Sequence, residues 1–286
     1  MSTIFSLEAP YLGEHRLECR SFGEGSPSVA IVAGVHGNEI TGVHAANLIS
    51  TRLEAGLSRG SVRLLPCVNA GGAEQGGKRW PVDDADLQDV FPGDPGGWAV
   101  QRLADAVMAA TEAELCIELA SGSERLEEWP HARLSEDQET EDLGLGLAWV
   151  GAGPSGLVEA WQAAGRKTLE LRAGRAGTLD LGAAQVLADA VCRRLAHLGM
   201  LPPLAPVPPP PVAREVVDLR CSRAGYFEPL RRCGEPVRAG DVVGVVRALV
   251  GGLPLEEVRA LATGRVVALR AYPLVHAQEL VARVAL

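Results

Sequence analysis

Up to Leu201, apolar runs and patterned amphipathic stretches alternate along the chain. Ser28-Val29-Ala30-Ile31-Val32-Ala33 is continuously apolar after its first residue and is bounded by Gly25 and Gly34, the pattern of a strand buried on both faces. Residues 38–58 place Ile40, Val43, Ala46 and Leu48 along one side, which predicts a helix. Residues 62–68 predict a second strand, and residues 97–112 a helix after the Gly96-Gly97 turn. Residues 115–119 and 167–171 predict a third and a fourth strand. Residues 180–199 predict a final helix that stops near Gly199. This alternation implies an α/β domain with a largely parallel or mixed sheet.

The texture changes after residue 201. The proline-rich run 202–211 cannot form helix or a central strand and reads as a stiff, extended connector. Beyond it, residues 216–219, 241–246, 264–269 and 280–284 are short strand-like runs separated by turn residues such as Ala239-Gly240-Asp241 and Gly251-Gly252. The expected organisation is an α/β domain over 1–201, a linker over 202–211 and a small all-β domain over 212–286.

Composition narrows the function classes. With 47% hydrophobic and 22% charged residues, the 286-residue chain has the means to build a packed core. Residues 212–286 carry 11 basic and 8 acidic side chains, and residues 1–211 carry 16 and 28. The formal charge of −9 therefore sits in the larger part, which argues against a nucleic-acid partner, since phosphate binding needs clustered basic groups. No apolar run is long enough to cross a bilayer, and no basic start followed by an apolar stretch marks a secretion signal. A cytoplasmic protein without membrane contact is expected, with a small molecule as its substrate; a homo-oligomer stays open. The six cysteines are scattered, without a C-x-x-C pair, and read as buried free thiols.

The candidate chemistry lies in Gly34-Val35-His36-Gly37-Asn38-Glu39, where the first predicted strand hands over to the first predicted helix. An imidazole and a carboxylate three residues apart can converge on one metal ion in such a turn. Zinc accepts N and O ligands of this kind, and a hydrolytic site keeps one position for water. Open α/β sheets bind ligands at this strand edge.

At this motif the chain resembles the succinylglutamate desuccinylase/aspartoacylase group of the zinc carboxypeptidase superfamily, matching its G-x-H-G-N-E signature in full. Further segments resemble the group in order. They are Pro66-Cys67-Val68-Asn69-Ala70, the stretch from Arg79-Trp80-Pro81 through Asp86-Leu87-Gln88-Asp89-Val90-Phe91-Pro92-Gly93, Thr168-Leu169-Glu170-Leu171, and the tail from Gly225-Tyr226-Phe227 to Val275-His276. The resemblance implies a zinc-carboxypeptidase-like mixed sheet flanked by helices, followed by a small C-terminal β domain. It implies a metal-dependent hydrolase cleaving an amide or ester bond of a small N-acyl compound. His36 and Glu39 would be zinc ligands, Glu170 the general base, and Arg79 the group that polarises the scissile carbonyl or holds substrate. Asn69, Gln88, Asp89 and His131 would belong to the substrate site. Read without that resemblance, Glu170 is a half-buried strand carboxylate with Arg172 as an available ion-pair partner.

Two positions depart from the group's pattern. Its third zinc ligand is a histidine, and this chain reads Glu118-Leu119-Ala120 there. Glu118 shares a strand face with Ala120 and is the candidate replacement ligand. His131, in Trp129-Pro130-His131-Ala132-Arg133, reads as site wall. If neither substitutes, two protein ligands remain and zinc binds weakly. The second departure is Gln88-Asp89 where the group has Asn-Arg. Asp89 reverses a charge that would clamp a substrate carboxylate, so a substrate without that free carboxylate is expected. The rival expectations are a catalytically impaired member that binds a ligand or a partner protein, and a hydrolase with a rebuilt coordination shell.

Overall fold

A computed structural model describes residues 1–9, 13–134, 143–150 and 155–286. The first strand, β1 (Ser2–Ala9), pairs antiparallel with β2 (Gly13–Glu24). Next come β3 (Ser28–Ala33), helix α1 (Ile40–Leu53), β4 (Gly60–Leu65), the short helix α2 (Ala70–Glu74), helix α3 (Ala99–Ala110) and β5 (Leu115–Gly122). They are followed by β6 (Leu126–Leu134), β7 (Ala148–Val150), helix α4 (Gly156–Ala163), β8 (Lys167–Arg175) and helix α5 (Leu181–His197). Strands β4, β3, β5 and β8 lie side by side and parallel, with antiparallel β2 beyond β4 and antiparallel β6 beyond β8.

The apolar runs form strands because both faces of this sheet are covered. Along β3, Val29, Ile31 and Ala33 face one core with Ala45, Ile49 and Leu53 of α1 and Leu187 and Val191 of α5. Ala30 and Val32 face the other with Val100, Leu103 and Val107 of α3 and Leu157 and Trp161 of α4. This period of two fixes the face of each residue on the neighbouring strands as well. On β5, Ile117 and Leu119 join the first core, which turns Cys116, Glu118 and Ala120 to the second side. Truncating a fully buried core residue such as Leu103 to alanine costs about 2–5 kcal/mol.

β1 and β2 were not foreseen from the sequence. Most of their positions are partly or fully exposed, so they lack the apolar run that marks β3. Residues 202–211 form no regular element and are mostly exposed. The C-terminal segment is built of strands β9 (Val212–Ala213), β10 (Val216–Arg220), β11 (Gly225–Pro229), β12 (Pro236–Val237), β13 (Val242–Arg247), β14 (Pro254–Arg259), β15 (Gly264–Arg270), β16 (Leu274–Val275) and β17 (Leu280–Ala285). β15 pairs antiparallel with β6, so the main sheet runs on through β15, β17 and β10. The sheet β14-β13-β11-β16 packs with these strands around Phe227, Val246, Val266 and Val284. Mixed sheet, flanking helices and β-rich tail agree with the expected fold class.

Candidate active site

The turn after β3 is shaped by two glycines. Gly34 has φ +64°, a left-handed conformation that side chains other than glycine's rarely adopt. Gly37 sits against the start of α2, where an added Cβ would lie 2.3 Å from the backbone of Ala73 and Gly72. The close backbone approach brings His36 and Glu39 to the C-terminal edge of the parallel strands. Glu39 precedes α1 and makes no side-chain cap, so its carboxylate is free to meet His36, with Nδ1 and Oε1 3.1 Å apart. On the other side of the ring, His36 Nε2 lies 3.0 Å from Asp86 Oδ1. Lys78 Nζ holds the second Asp86 oxygen at 2.5 Å. Burial disfavours a charged ring at His36, but the hydrogen bonds to Asp86 and Glu39 outweigh it and raise the pKa to about 9.

His36 and Glu39 open onto a cavity of about 720 Å³, which Lys78, Arg79, Glu124 and Arg172 also line. Arg79 is exposed and donates from Nη1 to the Asp84 carbonyl at 2.5 Å. Asn38 donates to Glu124 Oε1 at 2.7 Å and ties the rim to the motif.

Behind the cavity lies a buried ion-pair cluster. Arg172 Nη1 donates to Glu170 Oε1 and its Nε to Glu128 Oε2, both at 2.7 Å. Arg133 stands 3.6 Å from Glu128 and 3.7 Å from Glu170. Burial pushes the Glu128 carboxyl up, but Arg172, His131 and Arg133 hold it down to about 2. His131 stays buried, with Nδ1 2.8 Å from the Trp129 carbonyl, and burial holds its pKa below the ordinary value.

The succinylglutamate desuccinylase/aspartoacylase catalytic domain description matches residues 25–197, more than half of the chain. The chain belongs to this family. An N-alpha-acetyl-L-2,4-diaminobutyric acid deacetylase of Halomonas elongata is 26% identical over 272 residues, spanning 88% of this chain and 79% of the relative. A succinylglutamate desuccinylase/aspartoacylase from Rhodobacter sphaeroides superposes with a TM-score of 0.81 at 24% identity, over 95% of this chain and 89% of that one. The product-bound ectoine utilization protein EutE (DoeB) of Ruegeria pomeroyi gives 0.82 at 21%, again over 95% and 89%. The deacylases and desuccinylases of the family act on small N-acyl compounds.

Within the succinylglutamate desuccinylase/aspartoacylase frame, the expected site residues separate into two groups. His36, Glu39 and Arg79 come together around the cavity. Glu118 does not join them. Its carboxylate is fully buried, accepting from Gln88 Nε2 at 2.6 Å and from the Ser155 hydroxyl. Gln88, expected at the substrate, is a brace: its Oε1 accepts from the Leu157 N–H at 2.9 Å. Asn69 caps α2, accepting from Gly72 N–H and donating to the Lys78 carbonyl. Asp89 is exposed and does not line the cavity, because the turn Leu87–Asp89 sends Leu87 into the core and Gln88 towards Glu118. His131 and Glu170 lie in the buried cluster. Sequence reasoning missed Asp86 and Lys78 as the groups that orient His36, although Asp86 stands inside the matching D-L-x-x-x-F-P-G segment.

The donor set tests the zinc that the resemblance implies. His36 and Glu39 suit two ligand positions, and Asp86 behind the ring is the outer carboxylate that orients metal-bound histidines. Ala120 offers no donor, and among the described residues no three His, Cys, Asp or Glu side chains are grouped to hold a metal ion. The residues fit a divalent ion as a two-ligand site, one donor short of the usual catalytic three.

Proposed function

We propose that this protein is a deacylase that hydrolyses the amide bond of a small N-acyl compound, assisted by a loosely held divalent ion at His36 and Glu39. The observation that carries this reading is the His36 ring, held between Glu39 and Asp86 at the strand edge and open to a cavity lined by Arg79 and Arg172. Such an ion, when bound, supplies Lewis-acid activation of water or the acyl oxygen. Asp86 fixes the orientation of the ring, which must give up a proton to take the ion. Arg79 offers N–H donors to the acyl oxygen as charge develops on it. Glu170 Oε1 is taken by Arg172, and Oε2 has no partner among the described residues. That oxygen is buried behind the cavity wall, so Glu170 serves as the base only when the Arg172–Glu170 pair opens to admit water to it.

The Halomonas relative's N-acetylated diamino acid carries a second amine. On that relative's account short N-acyl diamino acids head the substrate class, and Lys78, Arg79, Arg125 and Arg172 around the cavity offer cations to their carboxylate. The test is release of free amine from a panel of N-acyl compounds bearing amine, amide or acid side groups, with and without added zinc or manganese. Amine release that depends on the added ion supports the reading, and no release from any compound sinks it. A second reading, binding without turnover, is favoured by the Arg172–Glu170 ion pair and by Ala120. Calorimetric binding of a panel compound with no amine released would establish it.

A further inference from the structure

Ala120 and Arg172 are register partners on the parallel strands β5 and β8. Paired residues on adjacent strands project from the same face, so the methyl group standing in the third ligand's place leaves room for the arginine beside it. Arg172 is anchored beside it on three partners. Its Nε reaches Glu128, its Nη1 reaches Glu170, and its Nη2 donates to the Ser121 carbonyl. The side chain is only 15% exposed, yet it lines the cavity with His36 and Glu39. Burial opposes its charge, but Glu128, Glu170 and Glu39 outweigh this and hold its pKa well above the usual value, so it is a cation at every working pH.

We propose that Arg172 stands beside the third metal ligand's place as a fixed cation and sets a low affinity for divalent metal at the His36–Glu39 pair. This rests on the reading of that pair as metal ligands. Two effects act together. The guanidinium lines the same cavity as His36 and Glu39 and repels an incoming cation. It also ties down Glu170 and, with Arg133, balances Glu128 and Glu170, so these four groups present no net negative charge to an incoming ion. One unit charge removed at close range in a partly buried site changes affinity by about tenfold or more.

The experiment is a zinc titration against a chromophoric chelator, on the whole protein stripped of metal. Arg172→Met should bind zinc at least about tenfold more tightly than the parent. Ala120→His alone should change affinity by less than about threefold, because the guanidinium still repels the ion. The double variant should bind most tightly. Arg172→Met no tighter than the parent would overturn the proposal. So would Ala120→His alone binding as tightly as the double variant; Ala120→His leaves the ion-pair cluster intact, so if Arg172→Met fails to fold, a single variant that takes up one zinc tightly sinks the idea. His36→Ala should abolish binding in every background. If it leaves zinc affinity unchanged in folded protein, the metal-pair reading fails together with the proposal, whereas loss of zinc with Arg172→Met unchanged removes the proposal alone.

Discussion

Glu118 and Glu170 are register partners on β5 and β8, two carboxylates side by side on one face of the sheet. Burial first, and then the charge of Glu170, raise the Glu118 pKa from 4.5 to about 7, against the Ser155 hydrogen bond. The folded state therefore holds this proton more strongly than the unfolded chain. The sign follows: Glu118 contributes most stability below about pH 4.5, and the contribution fades as pH rises through about 7. Glu118→Gln, which keeps an acceptor for Gln88 without the charge, should raise the melting temperature more at pH 8 than at pH 5. Equal shifts at both values would contradict the assignment.

His36 depends on Asp86 for its orientation. Asp86→Asn removes the carboxylate 3.0 Å from Nε2 and should weaken zinc binding by about 10–100-fold, the usual effect of losing such an outer partner. Chelator competition on parent and variant checks this, and unchanged affinity would mean that His36 is held without it.

Gly37 is required by packing. Its added Cβ meets backbone atoms of Gly72 and Ala73, which cannot swing aside as a side-chain tip can. Gly37→Ala should cost about 1–3 kcal/mol, as overpacking does, and lower the melting temperature by several degrees. A melting curve that overlays the parent's would show that α2 gives way freely.

Asp89 faces solvent, where water screens its charge. Asp89→Arg should therefore change the affinity for anionic N-acyl compounds by less than about threefold, while Arg79→Ala, inside the cavity, should change it more. Calorimetry with a free-acid panel compound decides. A large gain from Asp89→Arg would return this residue to the site, as the sequence alone suggested.

The sequence by itself determined the parts that depend on local periodicity. A run apolar at every position, as in Ser28–Ala33, has only one comfortable place, a strand with a core on each face. The helices over Ile40–Leu53, Ala99–Ala110 and Leu181–His197 were legible from their spacing, and the His36–Glu39 turn from its place between strand and helix. Periodicity says which face a residue takes, but not which residue lies beside it. Strand register and loop closure decide that, and both are non-local. Only the tertiary structure set Asp86 against His36, 50 residues earlier, and joined β15 to β6. Only it pinned Glu118 between Gln88 and Ser155, turned Asp89 outward, and laid Arg172 beside Ala120. An alanine in a ligand's place reads in sequence as a simple loss. In the folded sheet it has a cationic register neighbour, because residues paired across parallel strands share one face.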